Sequence, residues 1–583
     1  MRRLPNKWSA VAESVNSETE GIAIGYSMNS LATKIRVTLA YLFAATVPFG
    51  MHVSRAVAAE NQPSIAGKIL PVSGHVCQLQ LSPPKSLAEK VMGALKSNYP
   101  QCSAGTLPMV LLGFWGYPDF DGLSSADPVS VFFFPESEIA AGGKDGQRFP
   151  WVICAKIDDG SPIHNSLALL RFKIKKFSGW TFFFRENNAL PMEDGATLEK
   201  LVNMAEISSK NDIVLRVFRD GIESFVSNYE KRILRNLYRL GQLDGCMPGI
   251  SLINLMVNFM RQVESLQCAL DVSGDVLAWN LLLSAKNGSD LACIFNAPID
   301  SIDVGSIAQN LPSSDIAQVI FRYDPEIIKT LMKHIADALY VYGESQSLAD
   351  FKEKDVYAFI DALSAGNGGA ATLCIGRDDN GAAAVTSLWQ VDATTSQLAN
   401  WVNFAYANIA PVIFHTFAGS LDGERITLHG NVIQKAFNYS GRTVTRAEIS
   451  RRSEKIHGQM PANGAVKNRY YCAFDQLIGV ANSDSAMRNL IDGVRRKKQS
   501  EPFASGELPF EENMSLRGHC NLISLMELIG NVPVSKSTDA PSAIANIIEF
   551  SVRQGNDRIS AEVRVPYAAL ENLFGTAVDE AEE

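Results

Sequence analysis

The sequence predicts an α+β protein of two similar tandem domains, each a mainly antiparallel sheet with helices packed on one face. Three observations lead there. Apolar segments of strand length come in pairs joined by short Gly/Asp/Asn turns, the connection that antiparallel strands permit. Helical patterns fall between those pairs instead of after every strand, which favours α+β over alternating α/β. Five strand–turn–helix blocks also recur in the same order in the two halves of the chain.

The first block is HVCQLQLSPPKSLAEKVMGAL (His75–Leu95): an alternating strand, a proline turn at Pro83-Pro84 and an amphipathic helix. Its counterpart is IAQVIFRYDPEIIKTLMKHIADAL (Ile316–Leu339), with Pro325 at the turn. Apolar residues recur at helical spacing in both, at Leu87, Val91 and Leu95 and at Ile328, Leu331 and Ile335. The second block pairs DPVSVFFFPE and RFPWVICAKIDD with GAATLCIGRDDNGAAAVTSLWQVD, where Asp379-Asn380-Gly381 signals a hairpin. The third pairs SGWTFFFRENNAL and its following helix with RYYCAFDQLIGVANSDSAMRNLIDGV. The fourth pairs NDIVLRVFRDGIESF with NMSLRGHCNLISLMELI. The last pairs LQCALDVSGDVLAWNLLLSAKNGSDLACIF with NIIEFSVRQGNDRISAEVRVPYAALENLF.

These blocks place the two domains at 70–297 and 313–576, with a linker at 298–312 punctuated by Pro298 and Pro312 and an acidic tail at 577–583. The second copy carries an added helical stretch, QLANWVNFAYANIAPVIFHTFAG, and the strand-like RTVTRAEISRR. The layout resembles a family of uncharacterised exported bacterial proteins with tandem α+β domains, on blocks such as ALDVSGDVLAWNLLLSAKNGSDLACIF and GGAATLCIG. That resemblance implies architecture and export and carries no activity with it.

Export is also read from the residues themselves. Lys34 and Arg36 precede the apolar run Val37–Met51, and Ala56-Val57-Ala58-Ala59 follows it. A basic flank, a short apolar core and an A-x-A site describe a secretory signal peptide at 28–58, too short and broken to span a bilayer. Residues 1–27 hold Glu13, Glu18 and Glu20, foreign to a signal's leading region, so they read as an extension from a mis-called start, with Met28 the true one. The expected location is periplasmic or secreted, with membrane contact only through the transient signal.

The 583 residues carry a net charge of −9, and −12 once residues 1–58 are removed. Such a surface repels phosphate backbones, which excludes nucleic acid as a partner. The basic run Arg495–Lys498 ends a helical pattern and reads as a solvated helix terminus. Nine cysteines form no C-x-x-C. Cys154, Cys268 and Cys374 fall in strand-like runs as small buried apolar groups, and Cys77 with Cys102 is the disulfide to test in an exported chain.

Familiar chemistry is missing. The eight histidines are scattered, His519-Cys520 point to opposite faces of a strand, and His334 lies on a helix face, so no metal site is predicted. There is no G-x-S-x-G, and Ser82–Lys85 matches S-x-x-K only formally because Pro83-Pro84 breaks the helix it needs. Gly366–Ala371 has its glycines after a helix and before a strand, the reverse of a dinucleotide loop, and Gly366 reads as a helix C-cap. Asp158-Asp159 and Asp378-Asp379 read as turn residues. No catalytic residue, cofactor or metal is therefore predicted, and enzymatic function is disfavoured.

The Phe-rich strands at Phe132–Phe134 and Phe182–Phe184 are apolar on both faces, as in a sandwiched core or, alternatively, an apolar ligand groove. The expected function is a non-enzymatic extracytoplasmic binding or scaffold protein, with a protein or a hydrophobic ligand as partner. The alternatives are a carrier or chaperone for a lipid or peptide, and a hydrolase whose site is assembled from scattered residues.

Overall fold

A computed structural model describes residues 77–87, 89–90, 93, 122–134, 151–169, 172–185, 195–207, 210–224, 226–227, 257–273, 275–299, 304, 307, 316–345, 353–378, 381–410, 424–455, 462–463, 467–496, 513–528 and 546–569. The signal segment 28–58, the extension 1–27, the tail 577–583, Cys102 and most of the 298–312 linker lie outside the described residues.

In the first half of the chain the strands are β1 (Cys77–Leu81), β2 (Val129–Phe133), β3 (Trp151–Ala155), β4 (Phe172–Phe177), β5 (Trp180–Arg185), β6 (Ile213–Phe218), β7 (Val263–Ser273) and β8 (Val276–Ala285). The second half adds β9 (Ala317–Arg322), β10 (Asn367–Arg377), β11 (Ala383–Val391), β12 (Glu424–Tyr439), β13 (Arg442–Lys455), β14 (Ala462–Asn463), β15 (Lys467–Phe474), β16 (Leu477–Ala481), β17 (Met514–Asn521), β18 (Ile547–Gly555) and β19 (Arg558–Pro566). Local turn chemistry builds the hairpins. Ser178 and Gly179, at φ 50° and 77°, join β4 to β5, and Asn556 and Asp557, at φ 51° and 60°, join β18 to β19. Between β10 and β11 the Asp378 carboxylate accepts from the Ala382 N–H at 2.9 Å, while Gly381 supplies φ 76°.

The nineteen strands among the described residues form one sheet. Its pairings are antiparallel and run β4-β5-β3-β2-β1-β6-β7-β8 and on through β19-β18-β17-β9-β10-β11-β16-β15-β13-β12, with β14 beside β13. The two halves meet where β8 pairs β19 over its whole length, from Val276↔Pro566 to Ser284↔Arg558. This corrects the expectation of two tandem domains. The outer strands of two hairpins close on each other as neighbours in a ladder, and no local sequence signal announces a pairing between residues so far apart in the chain. Among the described residues the edge strands are β4 and β12, and they carry Lys173, Lys175 and Lys176 and Lys435, charges that discourage further strand addition.

Helices cover both faces, which also corrects the one-face arrangement. The front face is the one bearing Trp279. Near the first edge, α1 (Pro162–Leu169) places Ile163 on the front face against Val131, Ile153 and Phe183. There α2 (Gly195–Ala205) lays Leu198, Leu201 and Val202 on the back face against Phe132, Val152, Trp180 and Phe182. The Phe-rich strands are therefore sandwiched core, and the groove expected as an alternative is absent from them.

At the other wing the same layering returns. On the front, α4 (Pro325–Ser345) contributes Ile328 against Val319, Phe321 and Leu516, and α6 (Thr395–Phe404) contributes Leu398 and Val402 against Ala447, Ala473 and Ile478. On the back, α7 (Asp484–Arg496) packs Met487, Leu490 and Ile491 against Leu388, Cys472 and Phe474. Start signals are local. Pro325 takes the first helical position of α4 while Asp324 accepts from the Glu326 N–H at 2.8 Å, and Thr394 with Gln397 forms a capping box on α6. The chain also contains α3 (Asp290–Phe295), α5 (Glu353–Ala365) and α8 (Leu522–Leu528).

Candidate functional site

The centre of the sheet is built differently from the wings. Along β6, β7, β8, β19 and β18 residues alternate strictly between faces, and the cross-strand register lines them into rows. One front row is Leu215, Cys268, Leu281, Ala561 and Val552; the next is Ile213, Leu270, Trp279, Val563 and Phe550. Neither row holds a charged side chain. The back face of the same strands carries Gln267, Asn280, Glu562, Arg564 and Arg553, with Glu562 held by Arg564 at 3.2 Å and Arg553 at 3.7 Å.

The front rows form an apolar floor between two helical coverings. At one end α3 closes over Leu283 and Ile559 with Phe295. Across the sheet the Ile328 cluster of α4 reaches Phe550 and Val552. Between them Trp279 is 42% exposed and Leu215 37%, the two large apolar side chains exposed among the described residues. Cys268, placed in the interior by its apolar neighbours in sequence, is exposed on this floor as well.

A second concentration of polar chemistry lies where β1 and β7 end and β6 begins. The Asp212 side chain, 1% exposed, takes the Lys90 ammonium at 2.7 Å and the Ser82 hydroxyl at 3.3 Å on Oδ1, and the Val272 N–H at 2.8 Å on Oδ2. Burial pushes its carboxyl up, but the hydrogen bonds from Lys90, Val272 and Asp271 outweigh that and hold it below the usual carboxylate range. Asp271 moves the other way, raised by burial and then by its hydrogen bond to Asp212 and the like charge there. The Tyr567 hydroxyl is raised by burial and by both carboxylates. Paired carboxylates with opposed shifts can do acid–base chemistry. Here both oxygens of Asp212 are engaged in tying three strands and a helix together.

The chain matches no protein-family model, no curated protein and no solved structure.

A third feature is a buried cation without an ion pair among the described residues. Arg216 on β6 is 6% exposed and donates to Gln78 Oε1 at 3.2 Å, Gln80 Oε1 at 3.0 Å and Gln267 Oε1 at 3.3 Å. The amide groups of Gln78 and Gln80 then donate to the carbonyls of Met204, Ala205 and Ile207 at the C-terminal end of α2. The guanidinium is thus coupled through two amides to the negative end of a helix dipole. Burial pulls its pKa down to about 10, so it stays charged at neutral pH.

The residues weighed from sequence fall as follows. Ser82 serves Asp212 while Lys85 is exposed, so they form no Ser–Lys pair. His334 is exposed on α4, and Cys520 is buried while burial lowers the His519 pKa. Gly366 lies between α5 and β10, where a Cβ would meet the Asp392 carbonyl at 2.6 Å; close approach, and not a left-handed cap, is what demands glycine. Burial raises the thiol pKa of Cys77 to about 11, and those of Cys374, Cys472 and Cys520 to about 12. No group of three or more metal-ligating side chains occurs among the described residues. Sequence reasoning missed Lys90, Asp212 and Asp271, which tertiary packing brings together, and Arg216, which strand register sets beside Gln78, Gln80 and Gln267. The alternation of the last block was a signal for the floor, because it shows which face of β7, β8 and β19 is apolar.

Proposed function

We propose that the protein is a non-enzymatic extracytoplasmic binding protein whose contact surface is the apolar front face of the central strands. The observation that carries this is the exposure of Trp279 and Leu215 within two uncharged rows that the wings, built from similar strands, cover with helices. Contiguous exposed apolar surface of this kind marks binding sites in soluble proteins. The leader at 28–58 supports the location outside the cytoplasm.

The test is binding of anilinonaphthalene sulfonate to the folded protein, compared with Trp279→Ser and Leu215→Ser. The expected result is saturable dye fluorescence that falls in both variants with circular dichroism unchanged. Equal dye binding in the variants, or robust turnover in a broad hydrolase screen, overturns the reading.

A further inference from the structure

We propose that the occupant of this floor is a single fatty acid, held by its hydrocarbon chain. The inference rests on the binding reading above and names its ligand. Size argues first. Five strands about 4.8 Å apart and two rows about 6.8 Å apart give a floor of about 24 Å by about 14 Å, or about 330 Å². A stable protein interface needs about 800 Å² per partner, so the floor is too small to hold a second copy of the chain or a folded protein by itself.

Chemistry argues second. Every side chain of the two rows is uncharged, and their polar groups are the Trp279 indole N–H and the Cys268 thiol, a weak donor; neither row holds a side-chain oxygen. The backbone groups beneath are committed to ladders on both sides, from β6 through β7 and β8 to β19. A peptide laid on this floor would lose hydration at several amides and find one strong partner, the Trp279 N–H, for all of them. A methylene chain has no such need. Trp279 and Leu281 stand near the middle of the floor, on adjacent rows of β8, with Leu270 and Val563 beside Trp279 on the neighbouring strands.

The experiment titrates the purified full chain with a fluorescent polyene fatty acid, alongside Leu281→Glu, Trp279→Ser and a back-face control, Arg564→Ala. The expected result is saturable binding of one chain per protein, weakened at least about tenfold by both floor variants and unchanged in the control. Trp279→Ser, at an exposed position, tests the floor independently and without adding a charge. Dye binding at the floor without fatty-acid binding overturns the hydrocarbon ligand and leaves the binding surface standing. A concentration-dependent dimer abolished by Trp279→Ser, or fatty-acid binding equal in all variants, also overturns the proposal. Loss of both dye and fatty-acid binding removes the binding reading with it.

Discussion

The first wing of the sheet and its centre are made of similarly apolar strands and end in opposite circumstances. Phe132 and Phe182 are fully buried beneath α2, whereas Leu215 and Trp279, on strands of the same sheet, are 37% and 42% exposed. The difference lies in the second face. In β2, β3 and β5 both faces are apolar, so both must be covered, and α1 and α2 do so. In β7 and β19 the front is apolar and the back carries Gln267, Asp271, Glu562 and Arg564, while on the back of β8 Asn280 stands between Ala278 and Leu282. A strand apolar on both faces reports core; a strand apolar on one face and left half-open reports a surface available for contact.

The comparison can be broken at graded points. The largest effect belongs to the wing: Phe182→Ala should cost about 3–5 kcal/mol, measured as a fall in denaturant midpoint. A midpoint close to the wild type would mean that the wing is not the core of the fold.

Next comes the junction between wing and centre. Arg216→Met removes the donor from the buried Gln78 and Gln80 amide oxygens, so a loss of about 1–3 kcal/mol is expected. A neutral or stabilising result would show that the guanidinium's own burial outweighs its role as a tie.

The carboxylate pair gives a smaller effect with a definite sign. Asp271 has a raised pKa in the fold, so its contribution is fully present below the unfolded value of about 3.9 and is lost as pH rises through the raised one. Asp212, held low, contributes above its unfolded value and loses that contribution as pH falls through the depressed one. Asp271→Asn keeps a donor toward Asp212 and cannot ionise. It should therefore gain stability relative to wild type between about pH 3 and about pH 7 in parallel urea titrations. An unchanged difference across that range would show that the two carboxyls do not share a proton.

The smallest stability effect belongs to the floor. Trp279→Ala should shift stability by no more than about 0.5 kcal/mol, as for other exposed positions. A larger loss would make the floor part of the core.

Much of this molecule is legible in local sequence, and the limits are physical. Ser178-Gly179, Gly381 and Asn556-Asp557 mark hairpins because a positive φ has few suitable residues. Pro325 marks a helix start for an equally local reason. The pairing of β8 with β19 has no such marker, and the halves consequently read as separate domains when they form one sheet. The sixteen-residue β12 was also missed, since Gly430, Asn431 and Lys435 interrupt its apolar alternation. Cys268 was placed in the interior because its neighbours Leu266, Ala269 and Leu270 are apolar; the cover over a face is a tertiary property that alternation alone does not report. Asp212 and Asp271 are 59 residues apart in sequence and meet only through the register of β6 on β7.

The central claim is that two apolar strand surfaces of one sheet differ in kind, and a matched pair of charges tests it most directly. Leu281→Glu and Phe182→Glu are compared by near-ultraviolet circular dichroism and by fatty-acid titration. The account predicts that Leu281→Glu keeps the native spectrum and loses the ligand, while Phe182→Glu, with an unpaired charge in sandwiched core, does not fold. A Leu281→Glu variant that unfolds as Phe182→Glu does, or that folds and binds the fatty acid as the wild type does, would contradict it.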